Sequence, residues 1–508
     1  MYADTIIKNG RCLTMCGDNE ADWVAVSGKM ICAAGHGSEW QHLTRPDTLI
    51  IDAHGASVLP GFIDNHFHVM QTAINMMSVD LSGARSHREL GEMLAAAETR
   101  EGAVLGCQVE ESQFAEKRFP DRYVLDKYCS DNPVVIFSKE YHVSMLNTHA
   151  LLYYKVPFSL DGVELDSNNL PTGVFRHNAN YVLRSNVLRN LPDEFRMEAI
   201  HLAMSRLLEN GITTVAAIEG GWLFDDRDAE FIYAHSGEFP VDMPLFYQTM
   251  DLAKVWKLGL RRVGGNIMVD GTLASHSAAL MTPYADRPGD RGRIFLPQDT
   301  LDEFVQQCYE QDMQLALYSI GDRAIESVLQ THERAIRLGG STALRHRVEH
   351  AILATPEQIA RAADMRLIFS VQPAYEYLWG GKGGMYERRI GERYRRTNDF
   401  AAMFAAGVVV CGGSDSDVTE PRPLLGIHAS VNRAVPEHSI SARQAIEMYT
   451  VNGAYALFED KRKGMLAPGY LADIVVLDRD ILSTPKEQLE QTCVTVTIKS
   501  GSVLYGQQ

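Results

Sequence analysis

Ser57-Val58-Leu59-Pro60-Gly61-Phe62-Ile63-Asp64-Asn65-His66-Phe67-His68 is the stretch that decides how this chain is read. It is a short apolar run that ends in two histidines, which is how a buried strand reads. Residues two apart in a strand face the same side. The imidazoles of His66 and His68 can therefore point at one metal ion, with Phe67 turned the other way. Neutral imidazole is a common ligand for zinc and similar ions. The alternative is a pair of incidental histidines at a strand end. The strand context and the rest of the chain argue against it.

Upstream of this strand the pattern is one of short strands and turns. The clearest case is Trp23-Val24-Ala25-Val26, then Ser27-Gly28, then Lys29-Met30-Ile31-Cys32, which reads as a hairpin. From about residue 59 onward, helices and strands alternate. Glu194 to Asn210 carries Ile200, Ala203, Met204, Leu207 and Leu208 on one helical stripe, and Gly211 ends it. The strand Ile212 to Ile218 follows. A helix over Thr300 to Gln311 precedes the strand Gln314 to Tyr318. Thr355-Pro356-Glu357-Gln358 is a capping box with proline at the first helical position. The strand Leu367 to Val371 comes next. A helix over Asn398 to Ala406 then leads to the strand Val408 to Cys411, and Ser441-Ala442-Arg443-Gln444 opens one last long helix. Repeated helix-then-strand units imply a parallel sheet covered by helices. Their number suits a (β/α)₈ TIM-type barrel better than an open sheet, although periodicity alone leaves the open sheet standing. After about residue 460 the chain returns to strands, at Leu471 to Leu477 and Val494 to Ile498. The two β-rich ends are expected to pair into one small composite β-sandwich domain. The expected divisions are 1–58 and 461–508 for that domain and 59–460 for the barrel.

A chain of 508 residues can bury a large core. Its composition, 45% hydrophobic and 22% charged, carries no bias toward disorder. A net charge of −17 argues against a surface that binds nucleic acid. The eight cysteines are scattered with no Cys-x-x-Cys pair, which points to free thiols in a reducing, cytoplasmic compartment. Cys12 and Cys16 read as packing residues. Met1-Tyr2-Ala3-Asp4-Thr5 has neither the basic nor the apolar region of a signal peptide. No apolar run is long enough to span a bilayer.

Catalytic groups of such a barrel gather at the C-terminal ends of its strands. His66 and His68 sit at one such end, Glu219 follows Ile218, and Tyr318 ends Leu315-Ala316-Leu317. His350 ends Arg347-Val348-Glu349, Gln372 follows Val371, and Asp415 follows Cys411-Gly412-Gly413-Ser414. A carboxylate such as Asp415 can ligate a metal and take a proton from water beside it. It can also be a plain turn residue. His350 can ligate, orient a substrate, or be a hydrogen-bonded core histidine. Glu219 and His142 are weaker candidates. The segment Tyr375 to Arg396, with Trp379, five glycine-or-lysine positions from Gly380 to Gly384 and five arginines, reads as a possible mobile lid or as a solvated surface loop.

Together these motifs resemble the amidohydrolase superfamily, in particular its YtcJ-like branch, which includes N-substituted formamide deformylases. The resemblance runs from Leu59-Pro60-Gly61-Phe62-Ile63-Asp64 and His66-Phe67-His68 through Pro133-Val134-Val135, His142, Asn147 and Asp270-Gly271-Thr272. It continues through Ile320-Gly321-Asp322-Arg323-Ala324, Val348-Glu349-His350, Gln372-Pro373 and Gly413-Ser414-Asp415. It ends at Leu466-Ala467-Pro468-Gly469-Tyr470-Leu471-Ala472-Asp473. It implies the barrel with a composite β domain. His66, His68 and Asp415 fall at metal-ligand positions, His350 at a further ligand or catalytic position, and Asp415 at that of the general base. Two departures stand out. Relatives usually carry histidine where this chain has Tyr318, and often a carboxylatable lysine where it has Asn266. Asparagine cannot form a carbamate bridge, so one divalent ion, zinc first, is expected rather than two. The expected activity is metal-dependent hydrolysis of an amide or N-acyl C–N bond. Tyr318, His350 and Asp415 would be catalytic, and His142, Gln372 and Trp379 would bind substrate. The alternative is a lyase, decarboxylase or isomerase on the same fold, with Tyr318 as acid or base. The expected partner is a small molecule, with no nucleic acid and no membrane. A homodimer is one option for the assembly.

Overall fold

The structure is a computed structural model that describes residues 2–97, 103–139, 141, 143–155, 157–221 and 225–506. It divides into two compact units. One takes in the chain up to Phe67, Met204–Ile218, and everything from Ile232 onward. The other is His68–Ala203 with Glu219–Phe231.

The first unit holds eight parallel strands. They are β1 (Phe62–Phe67), β2 (Ile212–Glu219), β3 (Leu245–Tyr247), β4 (Arg262–Met268), β5 (Gln314–Ser319), β6 (Arg347–His350), β7 (Ile368–Val371) and β8 (Val409–Gly412). Each lies beside its neighbour in sequence order. The ring is completed between β1 and β8 by a parallel bridge, Phe67 to Ser416, and by a hydrogen bond from Asp415 N to His66 O of 2.9 Å. This is the barrel expected from the alternation of helices and strands, not the open sheet. β2 is buried at every position, as a strand covered on both faces must be. The interior is filled by small and apolar groups such as Ile63, Ala216, Ile218, Phe246 and Ala316. Fully burying a side chain of the Ile or Phe size stabilises by about 1.5–3 kcal/mol. One charged pair shares that interior. Arg347 and Glu349, two apart on β6, are both fully buried.

The two chain ends meet in a six-stranded sheet. Its strand Ser57–Pro60 pairs parallel with Arg11–Leu13 on one side and antiparallel with Ile474–Leu477 on the other. A four-stranded sheet contains the expected hairpin, Trp23–Ser27 against Met30–Gly35. Ile7, Val24, Val26, Val58, Ile474, Val476 and Val496 form one core shared by the two sheets. Lys463 and Lys499 lie with Asp242 and Asp473 in a four-charge cluster nearby. Lys499 Nζ is 2.9 Å from Asp242 Oδ2, Lys463 Nζ is 3.0 Å from Asp473 Oδ2, and Lys463 also pairs with Asp242.

The second unit is built on a six-stranded sheet with its own core, including Leu90, Val104, Phe114, Val134, Ile136 and Met145. Asn147, part of the resemblance, has all its side-chain hydrogen-bonding capacity used. Its Oδ1 accepts from Val134 N (3.0 Å) and Ala150 N (2.8 Å). Its Nδ2 donates to Cys129 O (2.7 Å) and Asn132 O (2.8 Å). The motif around it is structural: one side chain caps the helix Thr148–Tyr154 and ties it to a strand.

Two local expectations are corrected. The last long helix is two helices, Ala442–Met448 and Val451–Ala456. The capping box at Ser441 and Gln444 forms as read. However, Tyr449 O accepts a hydrogen bond from Ile63 N of the barrel (2.8 Å). Thr450, between the two helices, has φ −130° and ψ −98°, outside the helical region, and there the ladder stops. The segment Tyr375 to Arg396 is not an irregular loop. It folds into the helices Ala374–Trp379 and Met385–Ile390 and a 3₁₀ turn, Gly391–Arg396. Tyr375, Tyr386, Ile390 and Tyr394 are buried in a common cluster. Its arginines act as pins: Arg389 reaches Asp286 (2.5 Å) and Arg393 reaches Thr282 O (2.8 Å). Cys12, Cys16, Cys32, Cys129, Cys308, Cys411 and Cys493 are free thiols. Among the described residues no helix is long and apolar enough to cross a membrane.

Candidate metal centre

The C-terminal end of β1 carries the site. His66, His68 and Asp415 are all buried, and each offers one ligand atom within 4.8 Å of the other two. His66 is the penultimate residue of β1. His68 follows the strand in extended conformation (φ −95°, ψ 91°) and precedes the helix Val69–Met77. Asp415 arrives from β8. Its approach depends on Gly413, where a Cβ would lie 2.6 Å from His66 N. Asp64 Oδ1 fastens the two strand ends together by accepting from His66 N (3.2 Å) and Ser414 N (3.0 Å).

The donor set fits a divalent ion. Two imidazoles and a carboxylate suit zinc, and an open position is the mark of a catalytic site. His66 Nε2 is 3.3 Å from Asp415 Oδ1. Two ligands of a tetrahedral ion with bonds near 2.0–2.1 Å stand about 3.4 Å apart. The backbone is also held in an unusual state here. His350, Ala351 and Asp415 have φ of 70°, 47° and 53°. Non-glycine residues in that region cost about 1–3 kcal/mol each, and such residues concentrate at functional sites.

The surrounding side chains fix each group. His66 Nδ1 is 2.6 Å from Glu349 Oε2. Glu349 is itself clamped by Arg347, whose Nε donates to Oε1 (2.7 Å) and whose Nη2 donates to Oε2 (2.9 Å). Burial alone would lower the His66 imidazole, but Asp415 and Glu349 outweigh it and raise it to about 9. Burial would raise the Glu349 carboxyl, but Arg347 and His66 draw it down to about 2. The Tyr375 hydroxyl donates to Asp415 Oδ2.

His350 Nδ1 donates to Gln372 Oε1 (2.6 Å). An amide oxygen can only accept, so Nδ1 carries the hydrogen and Nε2 the lone pair. That Nε2 is buried and without a partner among the described residues. Burial lowers this imidazole to about 4. His350 lies outside the three-residue ligand group. Its ring is 5.0 Å from that of His66 and 4.4 Å, edge on, from that of Tyr318. Burial pushes the phenols of Tyr318 and Tyr375 well above their ordinary value. Both are neutral hydrogen-bond donors at physiological pH. Trp379 packs on Tyr375 at 4.6 Å between ring centres.

Glu219 Oε1 accepts from Met70 N (3.1 Å). His142 lies outside the described residues. Asn266 is half-buried on β4, and its carbonyl accepts from Gln248 Nε2 (3.1 Å). Asp270, of the Asp-Gly-Thr motif, binds backbone only. Its carboxylate accepts from Ala279 N (2.7 Å), Gly321 N (2.8 Å) and Ile320 N (2.9 Å), joining two motifs of the resemblance. Three residues at the site were not foreseen: Tyr375, Glu349 and Arg347. The alternation of Arg347 and Glu349 across Val348 on a buried strand was the available signal. Tyr375 had none beyond its aromatic neighbours.

A parallel barrel that gathers two imidazoles and a carboxylate at the ends of β1 and β8 has the fold and the donor set of a metal-dependent enzyme. The Amidohydrolase family profile matches residues 49–505, and the chain belongs to that family. It is similar to the putative amidohydrolase YtcJ of Bacillus subtilis (strain 168), with 27% identity over 499 residues covering 91% of each chain. It is also similar to the N-substituted formamide deformylase of Arthrobacter pascens, with 26% identity over 540 residues covering 99% of this chain and 98% of that one. Among solved structures it resembles an uncharacterized metal-dependent hydrolase from Pyrococcus furiosus. There the identity is 25% and the TM-score 0.79, over 94% of this chain and all of that one (100%).

Proposed function

We propose that this protein hydrolyses a C–N bond, an amide or N-acyl group of a small molecule, using one divalent ion, zinc, held by His66, His68 and Asp415. The observation that carries the reading is the 3.3 Å approach of His66 Nε2 to Asp415 Oδ1 between groups that are themselves fixed. Bound there, the ion would polarise the substrate carbonyl and lower the pKa of water. The residues supply the rest. Asp415 takes the proton from the attacking water and passes it to the leaving nitrogen. Tyr375 holds Oδ2 of Asp415, so that Oδ1 is the oxygen at work. His350, with its lone pair on Nε2, serves as a further ligand or receives a substrate hydrogen. Tyr318 offers its phenol hydrogen to the substrate. Gln372 keeps His350 oriented, and together with Trp379 it contacts the substrate. The β domain is taken as 1–58 with 461–508, and the barrel lies within 59–460, where the second unit, His68–Ala203 with Glu219–Phe231, is inserted in the sequence.

The similarity to an N-substituted formamide deformylase makes N-substituted formamides the first substrates to try. The test has two arms. Metal analysis of protein purified without chelator should find about one equivalent of zinc per chain. Two equivalents would mean that another group replaces the missing lysine. Turnover in water labelled with heavy oxygen should place the label in the acid product, and Asp415→Asn should abolish turnover. Product without label would sink hydrolysis in favour of a lyase or decarboxylase. Unchanged turnover in Asp415→Asn would sink the role of Asp415.

A further inference from the structure

We infer that Glu349, clamped by Arg347, is a positioning residue that fixes the ring orientation and tautomer of His66 and thereby sets the affinity of the site for its metal. The inference rests on the proposed metal reading and extends it to a residue that touches neither metal nor substrate.

The geometry is specific. Glu349 and Arg347 sit two apart on β6 and face the barrel interior, where both are fully buried. Arg347 grips both oxygens of Glu349, at 2.7 and 2.9 Å. Arg347 is anchored in turn by Asn65 O (2.5 Å) and Ser370 Oγ (3.0 Å), one on β1 and one on β7. Its guanidinium also lies over the Phe246 ring at 4.5 Å. Four strands thus hold the clamp still. The oxygen it presents to His66 belongs to a carboxylate, which can only accept. Of the two carboxylates that face the ring, Glu349 is the nearer, at 2.6 Å from Nδ1 against 3.3 Å for Asp415 from Nε2, so the hydrogen of the neutral ring sits on Nδ1 and its lone pair on Nε2. That is the nitrogen 3.3 Å from Asp415 Oδ1. A carboxylate behind a ligating imidazole fixes its tautomer and raises its basicity. Losing such a partner typically costs 10–100-fold in metal affinity. Apolar residues of similar volume would pack the barrel interior as well or better, so stability does not account for the buried pair.

The experiment uses the full chain, stripped of metal, with zinc affinity measured at fixed pH by competition with a chromophoric chelator. Arg347→Met with Glu349→Leu removes the clamp without leaving a lone buried charge, and should weaken zinc binding 10–100-fold. Glu349→Gln keeps an oxygen that accepts from Nδ1, and should stay within about fivefold of the wild type. Wild-type affinity in the double variant would overturn the inference. So would a Gln variant as weak as the double variant, because charge rather than orientation would then be at issue. A second readout needs neither metal nor a folded double variant. In the metal-stripped wild-type protein labelled with ¹⁵N-histidine, at a pH high enough for the ring to be neutral, the His66 hydrogen should sit on Nδ1. A hydrogen on Nε2 would refute the positioning role. If the wild type takes up no zinc, the metal reading fails, while the tautomer result still decides what Glu349 does.

Discussion

The metal-free site should respond to pH in a way that can be worked out from two distances. His66 is fully buried, with Glu349 Oε2 at 2.6 Å from Nδ1 and Asp415 Oδ1 at 3.3 Å from Nε2. Burial works against the charged ring, yet the two carboxylates raise it from 6.5 to about 9. A folded pKa above the unfolded one contributes stability that is complete below pH 6.5 and is lost as pH rises through about 9. The displacement corresponds to about 3 kcal/mol, at roughly 1.4 kcal/mol per unit. A metal needs the Nε2 lone pair, so metal and proton compete for one atom. Zinc affinity should therefore climb about tenfold per pH unit across that window, with about one proton released from His66 per ion bound. The assays are guanidinium unfolding of chelator-stripped protein at pH 6.5, 7.5 and 9, and calorimetry of zinc binding in buffers of different ionisation enthalpy. The pH slope should disappear in His66→Asn. Stability that is flat across the window, or zinc uptake without proton release, would refute the reasoning.

Four further outcomes are expected. Tyr375→Phe leaves Asp415 Oδ2 without its donor and should lower kcat about tenfold with little change in KM, the worth of a hydrogen bond to a charged group; an unchanged kcat would count against its role. Gly413→Ala places a Cβ 2.6 Å from His66 N and should destabilise by about 1–3 kcal/mol while weakening zinc binding, read by denaturant unfolding and metal competition. Lys463→Met leaves Asp242 and Asp473 sharing Lys499 alone and should cost about 3–5 kcal/mol of unfolding free energy, with part regained by adding Asp473→Leu. Chelator treatment should abolish turnover and added zinc should restore it; full activity in protein shown to be free of metal would exclude the proposed chemistry.

Much of this was legible in the chain because its signals are local. The run into His66 marks a strand by its apolar residues, and Thr355 with Gln358 marks a helix start by hydrogen bonds three residues apart. Asp415 was legible because Gly412 and Gly413 before it announce a turn at a strand end. What was not legible depends on register and on partners far apart in sequence. Tyr375 meets Asp415 across 40 residues. Glu349 meets His66 across 283, and only barrel closure brings them together. The helix break at Thr450 lies beside a bond from Ile63 N to Tyr449 O, a contact that no local propensity encodes. The arginines after Tyr375 look like a solvated charge run until their carbonyl and carboxylate partners are seen. The second unit was hidden for a similar reason. Its strands carry the same apolar runs as barrel strands, and only their pairing separates the two.

The strand Ser57–Pro60 sits between a neighbour made early in synthesis and one made near its end. On the ribosome it would emerge with Arg11–Leu13 already available and Ile474–Leu477 still more than four hundred residues away. At about 5–20 residues per second, that edge stays open for roughly 20 to 80 seconds. The barrel can close before the sheet that joins the two ends is finished. An exposed edge of that kind invites pairing with another nascent chain. Quality control in the cell therefore has a defined interval in which to act on this protein, and it ends when the final strands dock.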